Sequence, residues 1–155
     1  MVKAWLALVG VSCAALGLAT QETAVRSQDT AAFDRELSKN GLTPDDRATI
    51  MVSMFNDLLK PFRGTPGKRE PLKLSVAGHP VDVSVIHRLD LSRFKLADVK
   101  YPSCSITYAK SDGLGRLSLV GRVVCGPRCG GLTRYDFALK NGIWIITGTK
   151  RLTVA

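Results

Sequence analysis

The segment Cys125-Gly-Pro-Arg-Cys129-Gly-Gly holds two of the chain's four cysteines. Its spacing admits several kinds of chemistry. A thiol–disulfide exchange site needs its first sulfur at a helix N-terminus, which lowers the thiol pKa. Here Leu132-Thr133-Arg134-Tyr135-Asp136-Phe137 follows and alternates as a strand does. A metal site would need ligands beyond the two thiolates, and neither His79 nor His87 stands at ligand spacing from them. A cysteine nucleophile needs a histidine base, and none follows these cysteines. A protease-blocking loop presenting Arg128 would have only Gly126-Pro127-Arg128 to fill a cleft. The simplest chemistry is a disulfide that clamps a turn between two strands, with Arg128 as the residue such a rigid tip offers for recognition. No cofactor is implied.

Cys-Gly-Pro-Arg-Cys resembles the thioredoxin Cys-Gly-Pro-Cys with one residue added, but the helix that chemistry requires is missing. A third cysteine, Cys104, shares a strand face with Ile106 and Tyr108 and is the alternative partner for either cysteine of the loop. Strand parity sets it near Gly121, about 13 Å of strand short of Cys125. A buried free thiol is then its ordinary state. Among the acids, Asp136 lies on the strand face opposite Tyr135, where an ion pair with Arg116 or Arg122 is expected. Asp136, His87 and Tyr135 are the residues an acid–base pocket would use. Gly113-Leu114-Gly115 reads as a hairpin turn rather than a phosphate cradle.

The N-terminus sets the compartment. Lys3 precedes an apolar run from Ala4 to Ala19, and Gly17-Leu18-Ala19 has the small-x-small form of a signal peptidase site. The run falls short of the roughly 20 residues a spanning helix needs. Residues 1–19 are therefore expected to be a cleaved signal peptide, with a secreted or periplasmic product. Lipid attachment at Cys13 is the competing reading, weakened because Gly10 stands where a large aliphatic residue belongs. Residues 20–29 form a polar lead-in, and residues 30–155 a single domain. No later segment is apolar enough to span a bilayer.

The formal charge is +9. In an exported chain this points to an anionic envelope surface, or to solubility alone. Nucleic acid is not the expected partner, because the basic residues are dispersed and few aromatics lie among them to stack on bases. The densest cluster, Lys60, Arg63, Lys68, Arg69 and Lys73, lies among prolines and reads as a solvated loop.

Helices come first along the chain. Asp29 to Lys39 predicts a short helix with Phe33 and Leu37 on one face, ended by Asn40-Gly41. Thr43 as N-cap, Pro44 in the first turn, and Asp45 and Asp46 against the dipole predict a second helix. Ile50, Met51, Met54, Phe55, Leu58 and Leu59 give it an apolar core stripe, and Pro61 ends it. Strands follow. Leu72, Leu74 and Val76, then Val81, Val83 and Val85, alternate as a hairpin would. Leu89 to Val99 chooses neither period. Further strands are expected at about 103–110, 115–125, 131–140 and 143–154. Asn141-Gly142 is a two-residue hairpin loop that sets Leu139 opposite Trp144 and Phe137 opposite Ile146. Carried back, the register sets Phe137 opposite Leu117, Tyr135 opposite Leu119, and Cys125 directly opposite Cys129. Opposed Cβ atoms lie roughly 4.5–5.5 Å apart, so a modest adjustment closes a disulfide.

This order resembles the NTF2-like and cystatin-like α+β folds, in which a helix packs on the concave side of a sheet. Tyr135 and Phe137, a tight turn at Gly142, and Trp144 are similar to the final hairpin of many NTF2-like domains. The resemblance runs over about residues 30–154. It implies two N-terminal helices on a curved antiparallel sheet of about five to six strands. It also implies either a non-catalytic binding module or a small-molecule lyase, isomerase or hydrolase with a pocket between helix 43–60 and the sheet. The Gln-x-Val-x-Gly signature of cystatin inhibitors is absent, and no catalytic pair maps onto this chain. The expected function is a non-enzymatic binding module in the periplasm or outside the cell. Its partner is a protein or a small apolar ligand, with an anionic envelope surface as a further candidate.

Overall fold

Hydrogen bonds to side chains fix where the first two helices begin. In the computed structural model, residues 29–62 and 67–154 are described; the signal, lipid-anchor and lead-in expectations, and Arg63 of the basic cluster, lie outside them. Asp29 accepts from the Ala32 N–H at 2.7 Å and opens α1 (Thr30–Ser38). At α2 (Pro44–Leu59) the Thr43 hydroxyl accepts from the Asp46 N–H, while the Asp46 carboxylate accepts from the Thr43 N–H. This reciprocal capping box satisfies two donors that a helix end otherwise leaves open. Phe33 and Leu37 of α1 are buried, as is the whole predicted α2 stripe from Ile50 to Leu59.

The strands are β1 (Glu70–Val76), β2 (His79–Pro80), β3 (Phe94–Leu96), β4 (Ser103–Ser111), β5 (Arg116–Gly126), β6 (Cys129–Lys140) and β7 (Ile143–Val154). They form one seven-stranded sheet in the order β2-β1-β4-β5-β6-β7, with β3 beside β1. The class is α+β, as expected. The sheet departs from expectation in being mixed. β1 pairs parallel with both β3 and β4, whereas β4 to β7 form the expected antiparallel meander.

The departure traces to residues 81–99. Val81, Val83 and Val85 do not form a strand. Asp82 accepts from the Ser84 N–H at 2.7 Å and starts a one-turn helix, α3 (Val83–Ile86). Val81, Val85 and Leu89 are buried while Val83 is exposed. An i, i+4, i+8 series shares two of its members with an alternating one, and Val83 is what separates them. With α3 and β3 in the connection, the chain returns to β1 as a parallel neighbour, which a tight hairpin cannot do.

The later hairpins follow the sequence closely. Asn141 (φ 50°) and Gly142 (φ 76°) carry the positive φ of a two-residue hairpin loop, and Lys140 pairs with Ile143, Leu139 with Trp144 and Phe137 with Ile146. Leu117 pairs with Phe137 and Leu119 with Tyr135. At the cysteines the register slips. Val124 pairs with Gly130 but Gly126 with Cys129, so Cys125 is a bulge rather than a directly opposed residue. The loop shortens to Pro127-Arg128. Cys125 and Cys129 are still bridged, with Cα atoms 5.2 Å apart. Gly130 makes the slip feasible, because a Cβ there would stand 2.5 Å from the Val123 carbonyl oxygen.

Candidate binding surface on the open face of the sheet

Alternation along β4 to β6 sends two sets of side chains to opposite faces. The inner set is Cys104, Ile106, Ala109, Leu117, Leu119, Tyr135 and Phe137. It joins Phe33, Leu37, Met54, Phe55 and Leu58 of the helices in one buried cluster. α2 lies so close to β5 that a Cβ on Gly121 would sit 2.8 Å from Leu58 Cδ1. The space between α2 and the sheet is filled by Met54, Phe55 and Leu58, each almost wholly out of solvent.

The outer face has another composition. Cross-strand pairs assign to it Lys110, Arg116, Arg122, Arg134, Lys140 and Lys150, with Ser103, Ser105, Ser118 and Tyr108 between them. Lys73 shares this face through its pairing with Ser103 and is ion-paired to Asp98 at 2.6 Å. The one acid among these cross-strand pairs is Asp136, which pairs with Arg134 at 3.2 Å and accepts from the Ser118 hydroxyl at 2.6 Å. Arg116, Arg122, Lys140 and Lys150 have no ion-pair partner among the described residues. Neither α1 nor α2 covers this face, since both pack on the inner set. A basic, hydroxyl-bearing sheet face is suited to multidentate contact with anionic oxygens.

The structure separates the residues that a pocket would have needed together. Asp136 is on the outer face and pairs with Arg134, not with Arg116 or Arg122. His87 caps α3 and is exposed, as is His79 on β2. Tyr135 points into the core, where its hydroxyl donates to Asp57 Oδ2 at 2.8 Å. Asp57 is the polar residue that sequence reasoning missed. Three positions after Met54 and one before Leu58, it marks the polar edge of the stripe without showing what lies across from it. Its other oxygen accepts from Lys60 at 2.7 Å.

This Tyr–Asp pair is poorly matched to acid–base work near neutral pH. Desolvation pushes the Asp57 carboxyl up, but the Lys60 and Tyr135 hydrogen bonds outweigh it and hold the group below its ordinary range. Burial, followed by the Asp57 contacts, pushes the Tyr135 hydroxyl further above its own. Both groups move away from the neutral range where proton transfer is efficient. The pair instead fastens the C-terminal turn of α2 to β6.

Arg128 is exposed at the tip of the cysteine turn. Cys104 is free and buried, and lies opposite Val123 rather than Gly121, two residues nearer the disulfide than strand parity indicated. The difference arises at the β4–β5 turn, which is wide enough to set Ser111 opposite Leu117, and a bulge at Thr107 then takes back one residue of that shift. Burial pushes its thiol up to about 12. Among the described residues, no group of histidines, cysteines and acids could hold a metal ion, and no helix is long and apolar enough to cross a membrane. Lys60 of the expected basic loop is ion-paired to Asp57, and Lys68 and Arg69 are exposed. No protein-family model, curated protein or solved structure matches the chain.

Proposed function

We propose that this chain is an exported binding module whose working surface is the outer face of the β4–β7 meander, and that its partner is anionic. The observation that carries the reading is the charge of that face: Lys110, Arg116, Arg122, Arg134, Lys140 and Lys150 share it with Asp136 alone among the cross-strand acids. A field of one sign raises the local concentration of an oppositely charged partner. Export rests on the N-terminal pattern of Lys3, the apolar run and Gly17-Leu18-Ala19, and sequencing the N-terminus of the secreted or periplasmic protein tests it. In fold, α2 lying across the inner side of the meander supports the NTF2-like or cystatin-like kinship, while the parallel β1–β4 pairing lies outside what that kinship implied. The pocket that a lyase, isomerase or hydrolase would need between α2 and the sheet is occupied by Met54, Phe55 and Leu58. A small apolar ligand would need the same space.

The test is titration with soluble polyphosphate over a range of salt concentrations. Arg122→Gln with Lys150→Gln is expected to weaken binding and to lower the slope of log affinity against log salt by about two, roughly one per cation. Lys68→Gln with Arg69→Gln, in the loop before β1, is expected to leave both unchanged. Equal losses from the two pairs, or no polyphosphate binding by the native chain, would refute the assignment.

A further inference from the structure

One end of the molecule leaves large apolar side chains in water. Leu114 is 87 % exposed, Ile143 63 %, Leu139 44 % and Ile145 38 %. Leu114 lies in the β4–β5 turn, and the others flank the β6–β7 turn. The two turns are joined, because the Leu139 N–H donates to the Gly115 carbonyl at 2.8 Å. An exposed apolar group of this kind marks a contact surface more often than scattered single residues do.

The β4–β5 turn is fastened from below. Asn40, just past α1, donates to the Ser111 hydroxyl at 2.6 Å and to the Arg116 carbonyl at 3.0 Å, and accepts from the Gly115 N–H at 2.9 Å. Glu36 accepts from the Ser111 N–H at 2.8 Å, and Asp112 accepts from the Leu114 N–H at 2.8 Å. A turn fastened at both ends holds Leu114 outward without ordering cost on contact.

Cations stand in the same cross-strand rows as these isoleucines. Arg116 pairs with Ala138, which pairs with Ile145, and Lys140 pairs with Ile143. Arg116 and Lys140 have no ion-pair partner among the described residues. Apolar side chains in one row with unpaired, long-stemmed cations match the interface of an anionic bilayer, where such stems reach phosphate oxygens while the apolar groups meet acyl chains. A soluble anion would satisfy the cations but give the apolar residues nothing. A second copy would bring Arg116 and Lys140 against their own counterparts. The free edge of β7 is further guarded by bulges at Thr147 and Leu152 and by Lys150 and Arg151.

We propose that this end docks tip-first on an anionic lipid surface, with Leu114, Ile143 and Ile145 entering the interface and Arg116 and Lys140 meeting lipid phosphates. The inference rests on the basic-face reading above and adds the lipid and the orientation.

The test is co-sedimentation of the chain, as the producing cell processes it, with vesicles of phosphatidylcholine alone or mixed 3:1 with phosphatidylglycerol. The native chain sediments with the anionic vesicles and far less with the neutral ones. Arg116→Gln with Lys140→Gln lowers the partition coefficient about 25-fold, roughly fivefold per cation. Leu114→Ser with Ile143→Ser, which changes no charge, lowers it at least tenfold while leaving soluble polyphosphate binding intact. All four positions are exposed, and circular dichroism checks that each variant is folded. Leu114→Trp gives a direct reading, since its emission shifts to the blue on anionic vesicles. Equal binding to neutral vesicles, no shift from Trp at that position, or dimerisation lost in the Ile143 variant would each overturn the proposal. Polyphosphate binding without vesicle binding overturns the lipid inference alone, and failure of both overturns the basic-face reading with it.

Discussion

Gly121 gives the sharpest test of a filled interior, because replacing it adds one methyl where the helix already touches the sheet. A Cβ on Gly121 would meet Leu58 Cδ1 at 2.8 Å, Cδ2 at 3.0 Å and Cγ at 3.3 Å. Ordinary carbon contacts are optimal at roughly 3.5–4.0 Å, so α2 must lift or Leu58 must change rotamer. Leu58 is only 4 % exposed and has little room to turn. Gly121→Ala should therefore cost about 1–3 kcal/mol, the range for overpacking a core. Leu58→Ala alone should cost about 2–5 kcal/mol through lost burial and the cavity left behind. Combined, the two should cost no more than Leu58→Ala alone, because the new methyl enters the space that leucine vacated. Non-additivity of about 1–3 kcal/mol is expected, since contacting residues share one volume. Urea unfolding followed by far-ultraviolet circular dichroism measures each variant. A neutral Gly121→Ala, or costs that simply add, would show that α2 does not rest on β5 and would reopen the case for a pocket between them.

Tyr135→Phe should cost about 1 kcal/mol by removing the hydrogen bond to Asp57. Asp57 sits below its ordinary 3.8, so its contribution is present above about pH 4 and fades as pH falls through its folded value. Tyr135→Phe should move that acid loss to higher pH, and an unchanged acid limb counts against the pairing. Cys104 lies the other way: its thiol is raised from 9.0 to about 12, so its contribution is intact below pH 9 and is lost as pH climbs towards 12. That loss amounts to about 4 kcal/mol at most, and Cys104→Ala should delay the alkaline onset towards the tyrosine range. An onset still at pH 9 in that variant would refute the assignment. The disulfide closes a loop of sequence separation 4, so Cys125→Ser with Cys129→Ser should cost no more than about 2 kcal/mol by chain entropy. In unreduced protein the tryptic fragments meeting at Arg128 should stay joined until reductant is added, while a thiol label marks Cys104. Label on Cys125 and Cys129 before reduction excludes the bridge.

Local rules carried far into this chain. Thr43-Pro44-Asp45-Asp46 opens a helix because the cap chemistry is complete within four residues. Asn141-Gly142 fixes a hairpin because both residues accept positive φ, and that one turn sets the facing of Tyr135 and Phe137 several residues away. Where two periods share members, local pattern failed. Val81 and Val85 suit a strand or a helix, and only the exposure of Val83 and the Asp82 cap decide for the helix. Bulges were equally hidden, since a slip at Thr107 or Cys125 depends on the partner strand and not on the residue's neighbours in sequence.

From its sequence alone, this protein's first two helices, its last four strands, the pairing of β5 with β6 and β6 with β7, and the cysteine clamp were determined. Each depends on contacts within a turn or across a tight hairpin. Tertiary structure alone decided the parallel return of β1, the Tyr135–Asp57 bond across 78 positions, and the gathering of Lys110, Arg116, Arg122, Arg134, Lys140 and Lys150 on one face. Dispersed in sequence, those cations read as general solubility. Strand alternation and cross-strand register are what turn them into a surface.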